Sequence, residues 1–125
     1  MDAGLRQFVR RRADDHCEYC GLAQEKEALA FHVEHVIPRQ HGGADAADNL
    51  ALACHHCNLH KGPNLAGLDS QTGQLTRLFH PRSDKWEEHF VERESEVIGL
   101  TAIGCATVRL LKMNEQGRVQ LRAGL

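Results

Sequence analysis

The chain has 125 residues, with 15 Lys plus Arg against 17 Asp plus Glu and a formal charge of −2. That length suits one domain, and 42% hydrophobic with 26% charged residues is a globular composition, which excludes a disordered chain. The longest apolar runs, such as Leu50–Cys54, are too short for a membrane span. Met1–Arg12 has basic residues with no apolar stretch behind them, unlike a secretory signal, so a cytoplasmic location is expected. Aromatics are 5%, which predicts a mostly aliphatic core. The near-neutral charge argues against nucleic-acid binding by bulk electrostatics, so any recognition of phosphate has to come from a local arrangement.

In chain order, residues 3–14 space Leu5, Phe8 and Val9 at helical intervals among arginines and predict an amphipathic helix. Cys17–Gly21 reads as a tight knuckle with a glycine for the turn. The run A-L-A-F-H-V-E-H-V-I at 28–37 suits a strand closed by Pro38. A polar loop follows at 40–49, then a short strand at 50–53. A helix is expected after Cys54, stopped by Gly62-Pro63. Beyond it, 69–73 reads as a hairpin turn with a strand at 75–79. Ser83 or Asp84 is a candidate cap for a helix carrying Trp86 and Phe90 at i, i+4. Residues 97–100 form a strand, Thr101 caps a helix reaching Met113, and 114–125 is a polar tail with a helical turn or two. No linker is visible, so the expectation is a single domain over 1–125, with a motif core at 16–63 and an extension at 64–125 that wraps it.

Four of the five cysteines form two C-x-x-C pairs, Cys17/Cys20 and Cys54/Cys57. In a reducing compartment such pairs hold metal more often than they form disulfides. Two pairs separated by a hairpin-sized insert match a closed, tetrahedral four-cysteine zinc site, which is structural because it leaves no open position. A redox-active dithiol needs only one pair. Cys105, beside Ala102 and Ala106, reads as a small buried residue.

Between and after the pairs lie F-H-V-E-H-V-I-P-R-Q-H-G-G and N-L-A-L-A-C-H-H-C-N-L-H-K-G. Phosphodiester hydrolysis needs a base that takes a proton from water near neutrality, for which an imidazole is suited. It also needs a hard cation on oxygen ligands, for which a carboxylate and an amide carbonyl are suited. His35, Glu34 and Asn58 are those residue types. One objection comes from strand geometry: strict alternation puts His35 on one face and Glu34 on the other. Both can serve one site only if the strand twists, bulges or ends early, which Pro38 and the Gly42-Gly43 loop favour.

With these residues in order, the segment from Cys17 to Gly62 resembles the HNH endonuclease family in its zinc-stabilised, stand-alone bacterial form. The features that carry it are the first C-x-x-C, E-H-V-I-P, G-G, N-L before the second C-x-x-C, and C-N-x-x-K. The resemblance implies an α+β fold with a small ββα-metal, treble-clef-like core around the structural zinc on its four cysteines, an N-terminal helix and a C-terminal α/β extension. It implies that His35 is the general base, that Glu34 and Asn58 hold one catalytic Mg2+ or Mn2+, and that His32 touches the metal or the substrate. It further implies that Asn49 braces the loop behind His35 and that Lys61 meets a phosphate or stabilises developing charge. Glu34 stands where Asp is more usual in the family, and its extra methylene bears on metal preference.

The implied partner is DNA, double-stranded, cut by a monomer or a weak homodimer, with no membrane involved. Two basic groups are candidate rails for the DNA backbone: Arg10, Arg11 and Arg12, and His80 with Arg77, Arg82 and Lys85. His60 is a second candidate for phosphate contact, and His41, His55 and His56 read as surface residues. The runner-up function is a non-catalytic zinc-finger module binding nucleic acid or protein. Such a module needs the four cysteines but has no use for Glu34, His35 and Asn58 together.

Overall fold

The structure is a computed structural model describing residues 1–125. It opens with helix α1 (Ala3–Arg12), capped by Asp2, whose carboxylate accepts from the Leu5 amide at 2.8 Å. A knuckle at Cys17–Gly21 follows, with Gly21 at φ +82°, a backbone state that favours glycine. Strands β1 (His32–His35) and β2 (Leu50–Ala53) pair antiparallel, His32 opposite Ala53 and His35 opposite Leu50. Helix α2 (His55–Lys61) leaves β2 through Cys54, whose sulfur accepts from the Cys57 amide at 3.3 Å. These elements make the ββα core, and the whole is α+β.

Strand β1 is shorter than the run of apolar residues predicts. Residue 31 in register would face Cys54, where the partner strand already turns into α2. Gln24 takes the backbone instead, accepting from the Phe31 amide at 2.7 Å and donating to the Leu29 carbonyl at 2.9 Å.

The extension holds two further hairpins and three helices. Strands β3 (Ala66–Leu68) and β4 (Leu75–Arg77) flank the expected turn, and Asp69 organises it by accepting from the Gln71 amide and the Thr72 hydroxyl. Helix α3 (Trp86–His89) is a single turn, and Phe90 begins strand β5 (Phe90–Arg93), which pairs with β6 (Glu96–Gly99). Neither Ser83 nor Asp84 caps α3; its N-cap is Lys85, with no side-chain bond. Asp84 is engaged by Arg77 and by the His80 amide. Thr101 does cap helix α4 (Ala102–Leu110), accepting from the Gly104 amide at 3.1 Å, and the tail winds into α5 (Gln116–Ala123).

One hydrophobic cluster joins both halves, uniting Val9, Leu22, Leu50 and Leu52 with Phe79, Phe90, Val97, Leu111 and Met113. The few aromatics concentrate at the joint. Phe79 meets Tyr19 edge-on at 6.4 Å and Phe90 at 5.1 Å, and the Trp86 indole N–H donates to the Tyr19 carbonyl at 2.8 Å. Polar ties cross the same boundary: Arg82 pairs with Glu18, and Lys26 donates to the Arg122 carbonyl at 2.8 Å. No helix is long and apolar enough to cross a membrane.

Candidate active site

The ββα core places Cys17 and Cys20 on the knuckle and Cys54 and Cys57 at the start of α2, all buried and none in a disulfide. Their sulfurs lie within 4.8 Å of one another. Four thiolates around zinc are separated by about 3.8 Å, and Cys20 and Cys54 stand at 3.8 Å. The donor set and its spacing therefore fit a structural zinc. Hydrogen bonding from the other three cysteines drives the Cys54 thiol far below its ordinary pKa. Amides of Cys20 and Cys57 and the Arg118 guanidinium also point at these sulfurs, the last 3.3 Å from Cys54 Sγ. Arg118 comes from α5, so the C-terminal extension completes the surroundings of the metal site.

On the neighbouring surface an open groove of about 620 Å³ runs between the start of α1, strand β1 and the end of α2. Its wall includes His32, Glu34, His35 and Asn58, together with Arg6 and Arg39. Strand alternation does not separate Glu34 from His35, because β1 ends at His35 and both residues border this groove.

Glu34 is nearly buried. One carboxylate oxygen accepts from the Tyr19 hydroxyl and the other lies 3.4 Å from Lys61 Nζ. Burial raises the Glu34 pKa from its ordinary value, while Lys61 and the Tyr19 bond oppose that rise. Tyr19 itself is pushed well above the usual phenol range, first by burial and then by the Glu34 charge. Asn58 lies across the groove from the strand, and its side-chain amide makes no bond within the protein. His32 Nε2 stands 3.1 Å from His55 Nδ1. A carboxylate, an unspent amide carbonyl and an imidazole suit a hard divalent cation such as Mg2+ or Mn2+.

Lys61 and Asn49 sit behind this wall. Lys61 is 1% exposed and donates to the Val36 carbonyl at 2.9 Å, so it faces Glu34 from inside and is not displayed to a phosphate. The Asn49 side chain accepts from the Ile37 amide at 2.9 Å and donates to the carbonyls of Ile37 and Ala44, each at 3.0 Å. It therefore clips the end of β1 to the following loop. Gly43 lies in that loop where a Cβ would come 1.6 Å from the Ile37 oxygen, so no other residue fits without moving the backbone.

Most of the two basic rails is engaged elsewhere, and only Arg11 and Lys85 stay exposed without a side-chain partner. Arg10 donates to the Phe31 carbonyl, Arg12 to those of Ala47 and Leu50, Arg77 pairs with Asp84, and Arg82 with Glu18. The arginines on the groove are instead Arg6 and Arg39. His60 packs against His56, with ring centres 4.4 Å apart, and His41 is held by the Pro63 carbonyl at 3.1 Å.

Sequence reasoning missed Asp45. Its carboxylate receives His35 Nε2 at 2.5 Å and is gripped by Arg39, whose Nη2 lies 2.8 Å from Oδ1 and 2.7 Å from Oδ2. The His35 bond and the Arg39 bonds lower the Asp45 pKa to about 2. Only its position two residues after Gly42-Gly43 hinted at a role. Tyr19 carried no signal beyond its place inside the knuckle.

Among known proteins, the family model described as HNH endonuclease matches residues 17–64. No curated protein and no solved structure matches the chain.

Proposed function

Starting from an HNH endonuclease domain at residues 17–64, in its C-x-x-C…C-x-x-C zinc form, we propose that this chain is a metal-dependent endonuclease. Its substrate in this reading is double-stranded DNA, and the chain works in the cytoplasm as a monomer or weak homodimer. The observation that carries the proposal is that Glu34, His35, Asn58 and His32 border one groove, with the Asn58 amide unspent. A zinc-finger module that only binds has no need of that convergence.

His35 takes the proton of the attacking water as general base. Glu34, faced by Lys61 and held by the Tyr19 hydroxyl, would with Asn58 and His32 hold the catalytic cation. That cation, Mg2+ or Mn2+, supplies stabilisation of charge on the phosphate and the departing 3′-oxygen. Arg6, which lines the groove, offers a cationic contact to a flanking phosphate. Asn49 and Gly43 keep the loop behind His35 in place. Lys61 acts indirectly, through the carboxylate it faces.

The test is nicking of supercoiled plasmid by the zinc-loaded chain with Mg2+ or Mn2+. Nicking lost with EDTA and in His35→Ala, with fold and zinc content unchanged, is the expected result. Plasmid binding without cleavage under either metal would establish the binding module in its place.

A further inference from the structure

Asp45 is an exposed acid on a polar loop, yet four separate features fix its position. Its carboxylate lies 2.5 Å from His35 Nε2. Arg39 holds it through three contacts, at 3.0, 2.8 and 2.7 Å, which orient both oxygens. Asn49 ties the preceding residue, Ala44, to the end of β1. Gly43 lets the loop press against the Ile37 carbonyl, where a Cβ would stand 1.6 Å from the oxygen. None of these contacts buries Asp45, which keeps 38% of its side-chain surface, so a packing role does not explain them.

We propose that Asp45 is the positioning residue for His35. It accepts a hydrogen bond from Nε2–H and so holds the ring in the tautomer whose free nitrogen is Nδ1, the nitrogen that takes the proton from water. A carboxylate paired with arginine is an acceptor only, so the shared proton has to be carried by the imidazole nitrogen that faces it. Nδ1 has no protein partner, and the ring borders the groove with 18% of its side chain exposed. Without Asp45 the two tautomers compete and the ring is free to turn, which withdraws the base for part of the time. This role rests on the nuclease reading, in which His35 is the base.

The experiment uses the full, zinc-loaded chain and two readouts. Imidazole 15N–1H correlation spectra at about pH 8, where histidine is ordinarily neutral, report the tautomer of His35 whether or not the protein cuts DNA. Plasmid nicking at saturating divalent metal reports kcat and KM. Wild type is expected as the Nε2–H tautomer, and Asp45→Ala as a mixture. The alanine variant should lose kcat by about 100-fold with KM changed by no more than about twofold. Asp45→Asn presents an amide that can donate to Nε2 as well as accept from it, so it should shift His35 towards the opposite tautomer and lose kcat at least as much as the alanine variant.

A His35 tautomer that ignores Asp45→Ala would overturn the positioning role alone. Faster cutting by Asp45→Ala would overturn it in favour of a latch that occupies the base. A kcat loss matched by a fall in Tm or zinc content would reduce Asp45 to an anchor for the loop. Wild type that cuts nothing sinks the nuclease reading and with it the base assignment, while the spectra still decide whether Asp45 sets the ring.

Discussion

For a lysine and a glutamate buried side by side, lost hydration opposes mutual attraction, and at Glu34 burial wins, since its pKa rises despite Lys61 and Tyr19. The pair is therefore not a source of stability in itself, yet breaking it is costly. Lys61→Met would leave the Glu34 carboxylate inside the core with only the Tyr19 hydroxyl as partner. We expect the zinc-loaded variant to lose about 3 kcal/mol in urea unfolding, and Lys61→Met combined with Glu34→Gln to recover most of it, because a neutral pair carries no unpaired charge. In the nuclease reading neither variant should cut DNA, the first for want of a properly set metal ligand and the second for want of the carboxylate. A Lys61→Met chain as stable as wild type would show that the lysine does not hold the glutamate in place.

Each element of the core is short: two strands of four residues and a helix of seven. Elements of this size do not persist alone, and a zinc on the four cysteines would crosslink the knuckle to the start of α2. Chelation of zinc should lower Tm steeply, and Cys54→Ser should behave as the chelated wild type does. A Tm unchanged by a chelator that demonstrably removes the metal would show the cysteines to be ordinary core. These elements were legible in the sequence because their signals are local: the Cys pairs, Pro38, Gly62-Pro63 and the alternation before β2. Thr101 and the turn at 69–73 were legible for the same reason. Strand β5 was not, because its hairpin turns through Glu94 and Ser95 at φ 51° and 68°, without the Asn or Gly that marks such turns. Trp86 and Phe90 share helical spacing, yet their rings meet at 5.2 Å across the end of a one-turn helix, so the periodicity suggested a longer helix than forms. At the site, residue types and spacing identified Glu34, His35 and Asn58 as candidates. Spacing alone gave no means of seeing that Lys61 turns inward or that Asp45 arrives from the loop, since both depend on contacts between distant stretches.

At the scale of the molecule, the extension is fastened to the motif core by a chain of polar ties as well as by the aromatic joint. The Arg77–Asp84 pair closes the turn at 80–84 that delivers Arg82 to Glu18 of the knuckle. Hydrogen bonds from Arg77, at 2.7 and 3.0 Å, hold the Asp84 carboxyl at about 2, helped by the His80 amide. An unfolded aspartate titrates near 3.9, so the folded state binds this proton less readily than the unfolded state does. Asp84 therefore adds stability above about pH 4, and that contribution disappears as pH falls from about 4 towards 2. Because the Arg77 side chain is 55% exposed and screened by solvent, the contribution should be about 1 kcal/mol. Asp84→Asn removes the titrating group, so the gap in unfolding free energy between wild type and variant should be full at neutral pH and close across that acid window. Acid also releases zinc, but does so in both chains, and the difference curve isolates Asp84. A gap that stays constant down to about pH 2 would mean that the carboxylate's charge contributes nothing to holding the two halves together.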